Sequence, residues 1–186
     1  VKAGLNILLS TYDEIFTEDV MLPGGNLREG KSGYKRADII VITKCSKELS
    51  VADQEKIKSQ INPLPNQKVG FSYFEYRNPV DKNGNENKLP KRFILLTGIA
   101  QTDYLTEYLN QQKCHFTHLS FKDHHNFINE DYKAIGDACK TANTNTILTT
   151  SKDFSRLNIN HSNLKNLDIL QLPITVKFLS GGDEIV

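Results

Sequence analysis

The sequence predicts an α/β protein with mostly parallel sheets, and three observations indicate this fold class. Short apolar runs of strand length recur along the chain, segments of helical spacing lie between several of them, and polar turns separate the two kinds of segment. Alternation of strand and helix is typical of parallel sheets that are covered by helices.

The predicted strands are short runs that are apolar or that alternate between apolar and polar residues. They lie at residues 5–9, 39–43, 69–76, 93–97, 116–121, 146–150 and 167–178. Three helices are predicted between them, at residues 54–61, 103–112 and 130–142. Ser50 and Asp53 have the spacing of a capping box for the first helix, and Asn129 is a natural cap for the third.

The run at residues 78–90 divides the chain. It is polar, contains two prolines and one glycine, and has no apolar period, so we predict an exposed loop and a lobe boundary near residues 68–91. The lobe before it is too small to cover a parallel sheet. The chain begins at Val1, directly ahead of a predicted strand, and its only methionine is Met21. We therefore expect the missing strands to come from an upstream segment that has been removed.

Charge and cysteine usage restrict the class of protein. The 23 basic and 22 acidic residues give a net charge of +1, which provides no electrostatic footprint for nucleic acid. No apolar run approaches the roughly 20 residues that span a bilayer, and no signal peptide opens the chain. The three cysteines are far apart and odd in number. They are predicted to be reduced, buried thiols of a cytoplasmic protein.

The segment Gly25–Ser32 matches the phosphate-loop pattern GxxxxGK[ST] letter for letter. One hypothesis is therefore a small, self-contained nucleotide-binding protein. The context argues against it, because a phosphate loop follows a buried strand and opens a long helix. Here a short stretch ending in Pro23 precedes the match, and only about six residues separate Ser32 from the next predicted strand.

Arg28 and Glu29 follow a Pro-Gly-Gly turn, where a backbone can approach a ligand closely. An arginine offers a fork for phosphate oxygens, and a neighbouring carboxylate can hold magnesium or a hydroxyl. The alternative is that Arg28 and Glu29 are an ordinary pair of solvated surface residues that bind no ligand.

Asp123, His124 and His125 follow the strand at residues 116–121, in a position where α/β proteins place reactive groups. A histidine can relay a hydroxyl proton near neutral pH, and an adjacent carboxylate can fix its tautomer. The alternative is that these residues form a polar loop that only caps the next helix.

Thr150 and Lys152 lie where another predicted strand ends and a helix begins. Hydroxyl and N–H groups at such a junction favour the binding of anions, although a plain helix cap explains the two residues equally well.

A metal-binding module is a third hypothesis for the chain. Five potential ligands fall within twelve residues: Cys114, His115, His118, His124 and His125. Strand alternation places Cys114 and His118 on the opposite side from His115, and no compact pair has the spacing of a metal motif on a helix. We therefore expect no metal bound by this chain alone.

Five stretches in this order resemble the C-terminal part of the tetraacyldisaccharide 4'-kinase family, which acts in lipid A biosynthesis. They are LPGGNLRE (residues 22–29), SGYKRADIIVITK (residues 32–44), TGIA (residues 97–100), FKDHH (residues 121–125) and TTSKD (residues 149–153). Together they span nearly the whole chain.

The resemblance implies three-layer α/β/α lobes, the second joined by a two-stranded linker. Residues 1–68 would belong to the nucleotide-binding lobe, 69–91 to a linker strand and the polar loop, 92–168 to the second lobe, and 169–186 to a return strand and tail. It also implies a peripheral enzyme on the cytoplasmic face of the inner membrane. This enzyme would transfer the ATP γ-phosphate to the 4'-hydroxyl of an acylated disaccharide 1-phosphate.

The resemblance further assigns roles to individual residues. Glu29 and Arg28 would lie near the metal and phosphates, and His124, supported by Asp123, would close onto the site near the acceptor hydroxyl. His125, Thr150 and Lys152 would contact the substrate or an anion. The phosphate loop, the main ligands of ATP and Mg²⁺, a catalytic aspartate and a membrane-binding helix would all lie upstream, so we expect the fragment alone to be inactive.

Overall fold

A computed structural model describes residues 4–179 of the chain, which divide into two compact units. One unit comprises residues 4–75 together with 175–179, and the other comprises residues 76–174. Each unit is built on a four-stranded sheet. The predicted start at Val1 and the predicted tail after residue 179 lie outside the described residues.

The sheet of the first unit has the order β1-β2-β3-β8, and its β1–β2 and β2–β3 pairs are parallel. Its elements are β1 (Ile7–Thr11), β2 (Ile39–Thr43), α1 (Val51–Ile61), β3 (Lys68–Tyr76) and β8 (Ile174–Phe178). A 3₁₀ helix at Lys31–Arg36 precedes β2.

Helix α1 packs on one face of this sheet. The Ser50 hydroxyl accepts a hydrogen bond from the Asp53 N–H at 3.1 Å, which confirms the predicted cap. Ile57 and Ile61 of α1 lie in a core with Ile40 of β2, Ile42 of β2 and Phe71 of β3.

The opposite face of the same sheet is apolar at its edge strand. Ile7 and Leu9 of β1 pair in register with Ile39 and Val41 of β2, so these four side chains share a face. Ile7 is 53% exposed and Leu9 66% exposed, which is unusual for neighbouring aliphatic residues in a parallel sheet.

The sheet of the second unit has the order β5-β4-β6-β7, and all three of its pairs are parallel. Its elements are β4 (Arg92–Thr97), α2 (Asp103–Gln111), β5 (His115–Ser120), α3 (Asn129–Thr141), β6 (Thr146–Thr150), α4 (Ser151–Phe154) and β7 (Asp168–Leu172). Strand β4 lies between β5 and β6, both of which follow it in the chain, and the connections from β4 to β5 and from β5 to β6 contain α2 and α3.

Helices cover both faces of the second sheet. Phe93 and Leu95 of β4 pack with Leu105 and Leu109 of α2. Ile94 and Leu96 of β4 point to the other face, where they pack with α3 residues such as Ile135. This alternation produces a three-layer α/β/α arrangement in the second unit, and the α/β fold class is confirmed.

Two predictions about chain segments were wrong. The run at residues 167–178 forms two strands, β7 in the second sheet and β8 in the first, because Pro173 between them has no N–H to donate to a ladder. The predicted boundary at residue 169 therefore falls inside β7. Asn129 does not cap α3. The residue at the cap position is Ile128, and Asn129 is the first helical residue.

Asp131, in the first turn of α3, is the acidic residue that binds at the start of this helix. Its Oδ2 accepts a hydrogen bond from the Ile128 N–H at 2.9 Å and lies 2.7 Å from Nε2 of His125. Burial opposes ionisation of Asp131, but the hydrogen bonds from Ile128 and His125 outweigh burial and lower the pKa of the carboxyl.

The three cysteines are buried and unpaired, as predicted. Burial raises the pKa of the Cys45 thiol to about 11 and also raises the pKa of Cys114 and Cys139, which suits them to core packing rather than to reactivity. Among residues 4–179, no helix has the length and apolar character needed to cross a bilayer.

The central strand of the second unit provides a test of its core. Leu96→Ala is expected to lower the free energy of unfolding by about 2 to 5 kcal/mol, because Leu96 is fully buried and truncation leaves a cavity. Denaturant unfolding checks this value. Ile128→Ala, at a half-exposed position of the same unit, is the control. Equal losses in the two variants would contradict the packing described.

The cap of α3 predicts a pH dependence of stability. Asp131→Asn is expected to lower the free energy of unfolding by about 1 kcal/mol at neutral pH, because it removes a negative charge from the first turn of α3 and from beside His125. Because the pKa of Asp131 is lowered in the folded state, its contribution is complete above the unfolded pKa of about 3.9 and is lost as the pH falls through the folded value.

The difference in thermal midpoint between the parent and Asp131→Asn should therefore narrow as the pH falls below about 4. Asp137→Asn, which removes an exposed partner of Lys140 on the same helix, is the matched control. A difference that stayed unchanged in acid would contradict this role of Asp131.

Candidate functional site

The carboxyl ends of β4, β5 and β6 form the candidate site in the second unit. The chain leaves β4 toward the face that α2 covers, and it leaves β6 toward the opposite face, where Phe154 of α4 packs. Adjacent strands whose connections diverge in this way define a topological switch point, and ligands of open α/β sheets bind in the crevice at such a point. Gly98 follows β4 here, and Thr150 ends β6.

Gly98, which follows β4, is hydrogen-bonded to residues that follow β5 and β6. Its N–H donates to Oδ2 of Asp153 at 3.0 Å, and its carbonyl accepts from Nη2 of Arg156 at 3.0 Å and from the His124 N–H at 3.3 Å. A Cβ at this position would lie 3.1 Å from Oδ1 of Asp153 and 3.4 Å from the Lys122 carbonyl. The absence of a side chain therefore permits these close approaches.

Asp153 is a fully buried carboxylate. Besides the Gly98 N–H, it accepts a hydrogen bond from the Thr150 hydroxyl at 2.8 Å, and it forms an ion pair with Nη2 of Arg156. Buried charges require partners of this kind, because an unpaired carboxylate in a protein interior is very unfavourable. The pair lies between β4 and the short helix α4.

Thr150 caps α4. Its hydroxyl accepts a hydrogen bond from the Asp153 N–H at 3.1 Å while it donates to the Asp153 carboxylate. Both capacities of this hydroxyl are thus directed at one residue, as the capping interpretation of Thr150 requires.

Lys152 connects β6 to the loop that follows β5. Its Nζ lies 3.0 Å from Oδ1 of Asp123, and both side chains are partly exposed. The hydrogen bond from Lys152 lowers the pKa of Asp123, and the nearby His124 acts in the same direction. Asp123 is therefore ionised at neutral pH and places a negative charge beside His124.

His124 is presented to solvent by an uncommon backbone conformation. Its φ is 58°, in the left-handed region that residues other than glycine rarely adopt. Its N–H lies 3.0 Å from Oδ1 of Asp123 as well as near the Gly98 carbonyl. The side chain is 76% exposed, and its Nε2 lies 3.6 Å from Oδ2 of Asp123. This imidazole is accessible and has a carboxylate beside it.

His125 occupies a different environment from its neighbour. Its ring stacks on Phe121 with the centroids 4.7 Å apart and meets the edge of Phe127 at 5.2 Å. Its Nε2 lies 2.7 Å from Oδ2 of Asp131, and only 26% of the side chain is exposed. His125 thus anchors the loop to α3, and His124 is the histidine available to a ligand.

Arg28 and Glu29 lie in the first unit, on the segment between β1 and β2, and both are exposed. Both carboxylate oxygens of Glu29 lie 2.6 Å from Nη2 of Arg36. The hydrogen bond that Arg36 donates to Glu29 and the positive charge of Arg36 both lower the pKa of the Glu29 carboxyl. Gly33 allows the contact, since a Cβ there would lie 2.7 Å from Oε1 of Glu29.

The Gly25–Ser32 segment does not have the geometry of a phosphate loop. Met21 bridges Leu27 across a tight turn, and the Lys31 Nζ donates to the Thr17 carbonyl at 2.6 Å. The helix that follows is a 3₁₀ helix of six residues, which is too short to direct a row of N–H groups at phosphates. The hypothesis of a self-contained nucleotide-binding protein is therefore not favoured.

The cysteine and histidines near β5 do not converge on one point. His118 Nε2 lies 2.8 Å from the Thr97 hydroxyl, and burial lowers the pKa of His118. The Cys114 thiol lies near the Pro90 carbonyl. Within the described part of the chain, no three His, Cys, Asp or Glu side chains are grouped so that they could hold a metal ion.

The structure thus brings Asp123, His124, His125, Thr150 and Lys152 together at one sheet edge. From the sequence, Asp153 and Arg36 were recognised only as members of the stretches that resemble the family, and Arg156 was not recognised. The Asp153–Arg156 pair could have been suspected from its spacing of three residues directly after the cap residue Thr150. Glu29 and Arg36 are seven residues apart across a 3₁₀ helix, and no simple periodicity indicates that contact.

Comparison with known proteins identifies the family. The family model described as Tetraacyldisaccharide-1-P 4'-kinase matches residues 1–185. Relatives named tetraacyldisaccharide 4'-kinase include those of Flavobacterium johnsoniae (40% identical, 84% of this chain and 46% of the relative) and Flavobacterium psychrophilum (40%, 97% and 52%). The Bacteroides fragilis relative is 36% identical over 99% of this chain and 53% of its own length.

A crystal structure of LpxK from Aquifex aeolicus in complex with ATP has the same fold. The match has a TM-score of 0.61 at 21% identity and covers 97% of this chain and 50% of that one. The chain spans about half the length of the curated relatives it matches. The chain belongs to the tetraacyldisaccharide-1-P 4'-kinase family.

Proposed function

We propose that this chain is part of an ATP-dependent kinase that phosphorylates the 4'-hydroxyl of tetraacyldisaccharide 1-phosphate in lipid A biosynthesis. The family match along residues 1–185 supports the reaction. We propose His124 as the reactive group of the second unit. This assignment rests on its exposed imidazole, which lies beside the ionised Asp123 at the switch point of the second sheet.

His124 is proposed to act on the acceptor hydroxyl. A neutral imidazole can accept the hydroxyl proton as the oxygen attacks phosphorus, and the Asp123 carboxylate stabilises the cation that results. Phosphoryl transfer depends mainly on in-line positioning and on neutralising charge, so orientation of the hydroxyl by His124 is part of the same role. His125 supports this loop, while Lys152 and Thr150 hold the segments around it.

The segment from Arg28 to Arg36 is proposed to lie close to the nucleotide phosphates. It carries two arginines, and Glu29 fixes the guanidinium of Arg36 by its two short contacts. A guanidinium that is already oriented loses less freedom when it binds a phosphate oxygen. Arg28, on the exposed side of the same turn, is the second candidate for this contact.

ATP with Mg²⁺ is the proposed cofactor. Magnesium commonly takes one or two carboxylates together with substrate phosphates. Glu29 already directs both oxygens at Arg36, so the described residues do not form a magnesium site by themselves. We therefore place the main ligands of the nucleotide and the metal outside residues 4–179 and assign no step of the reaction to the metal.

The first unit is proposed to be part of a larger nucleotide-binding lobe, with residues 92–168 in the second lobe. The exposed Ile7 and Leu9 support this division, because a parallel sheet normally buries both faces. The acyl chains of the substrate reside in a bilayer, so the enzyme is proposed to act at the cytoplasmic face of the inner membrane. A membrane-binding helix outside this chain would provide the attachment.

The role of His124 can be tested in the full-length protein that carries this chain. His124→Ala is expected to lower kcat by at least about a hundredfold, because a positioned acid–base group contributes a factor of that size. Transfer of ³²P from [γ-³²P]ATP to tetraacyldisaccharide 1-phosphate measures the rate.

His115→Ala is the matched control for this experiment, since His115 is an exposed histidine at the opposite end of β5. It should leave turnover unchanged. Near-normal turnover of His124→Ala would remove His124 from the reaction, and no transfer to the disaccharide by the parent protein would refute the proposed function.

The Glu29–Arg36 contact has a separate kinetic signature. Glu29→Gln is expected to raise KM for ATP by about three- to tenfold with a smaller change in kcat, as loss of a ground-state contact does. Glu55→Gln breaks an exposed ion pair with Lys58 in the same unit and serves as the control. Identical KM values for the two variants would leave Glu29 as a surface residue without a role in nucleotide binding.

A further inference from the structure

The Asp153–Arg156 pair has no explanation in the proposed chemistry. Asp153 is fully buried, and the Arg156 side chain is only 20% exposed. Burying a carboxylate and a guanidinium is costly, and apolar residues of similar volume stabilise a fold equally well or better. Helix α4 has only four residues, so its own stability does not account for the pair.

The pair makes a contact that apolar residues could not make. Its two charged groups bind both polar atoms of Gly98: Asp153 accepts from the N–H, and Arg156 donates to the carbonyl, each at 3.0 Å. Gly98 is thereby fixed in position and in orientation. Hydrogen bonds to charged groups are roughly twice as strong as those between neutral groups, so this restraint is a firm one.

The restraint extends to His124. The Gly98 carbonyl that receives Arg156 also accepts the His124 N–H at 3.3 Å. A left-handed φ of 58° is uncommon outside glycine and is kept in place by the contacts that surround the residue. The Gly98 carbonyl and Oδ1 of Asp123 are the acceptors for this N–H, at 3.3 Å and 3.0 Å.

Both acceptors are held by residues of α4 or of the turn directly after it. Lys152 holds Asp123 through its ammonium group at 3.0 Å. Arg156 holds the Gly98 carbonyl, and its Nε donates to the Lys152 carbonyl at 3.3 Å. A shift of α4 would therefore move both acceptors of the His124 N–H at once.

We propose that Asp153 and Arg156 are positioning residues that act through the Gly98 carbonyl to keep His124 in its left-handed conformation and its imidazole aimed at the acceptor hydroxyl. The inference deepens the proposed function and rests on it for its catalytic consequence. Neither residue needs to touch the substrate.

Turnover in the full-length protein tests the consequence. Arg156→Lys keeps a positive charge beside Asp153 but removes the planar guanidinium, whose Nη2 contacts both Asp153 and Gly98 while its Nε donates to the Lys152 carbonyl. We expect kcat to fall by about 10- to 100-fold, the scale of a misplaced reacting group, with KM for ATP unchanged. Thr149→Val is the matched control, because it removes a buried hydroxyl bonded to the Leu96 carbonyl in the same sheet without contacting Gly98.

A double-mutant cycle separates positioning from general destabilisation. If Arg156 acts through His124, then Arg156→Lys in a His124→Ala background should lower kcat no further than His124→Ala alone. A purely structural role would lower kcat by the same factor in both backgrounds, and that result would overturn the inference. The paired neutral variant Asp153→Asn with Arg156→Gln avoids an unpaired buried charge and should behave like Arg156→Lys.

Amide hydrogen exchange provides a readout that does not depend on catalysis. The His124 amide should exchange at least about tenfold faster in Arg156→Lys and at the parent rate in Thr149→Val, because only the first change releases its acceptor. Unchanged exchange in Arg156→Lys would refute the positioning role. Faster exchange together with normal turnover of His124→Ala would refute the catalytic role of His124 while leaving the structural link intact.

Discussion

The structure of the candidate site depends on a buried carboxylate, that of Asp153. A charge without access to water is tolerated only when donors converge on it, and here the donors come from β4, β6 and α4. Satisfying Asp153 therefore requires these elements to meet at one point. The loop after β5 joins this point through the Gly98 carbonyl and the ion pair between Lys152 and Asp123. One electrostatic requirement thus fixes the geometry of the sheet edge.

The same edge gives two neighbouring histidines opposite roles. His125 is enclosed by Phe121 and Phe127 and is tied to Asp131, whereas His124 points to solvent. Their chemistry is identical, so the difference arises from the backbone. The φ of His124 is positive, and its ring is exposed while the ring of His125 packs on Phe121 and Phe127. Anchoring one histidine reduces the entropy that the loop must lose to present the other.

The strands and the location of the site could be predicted from the sequence for a simple reason. A continuous apolar run such as the one in β4 indicates a strand that is buried on both faces of a sheet. The carboxyl ends of parallel strands meet at the same edge of the sheet, which indicates where a ligand would bind. Asp123, His124, Thr150 and Lys152 were predicted as candidates on that basis. Pairings that depend on loop conformation were not predictable. Local periodicity could not indicate that α3 begins at Asn129 with Asp131 bound to the Ile128 N–H, or that Arg36 binds Glu29.

The two units differ in how far their own residues determine their structure. In the second unit, both faces of the sheet are covered by α2 and α3, and every contact of the network around Gly98 lies between residues 76 and 174. The conformation of His124 is therefore encoded within that unit. In the first unit, one face of β1 leaves the aliphatic side chains of Ile7 and Leu9 exposed, and we propose that a further part of a longer protein covers them. On that proposal, the effects of changes near Arg28 and Glu29 depend on the additional chain, whereas changes around Asp153 act on His124 within the second unit.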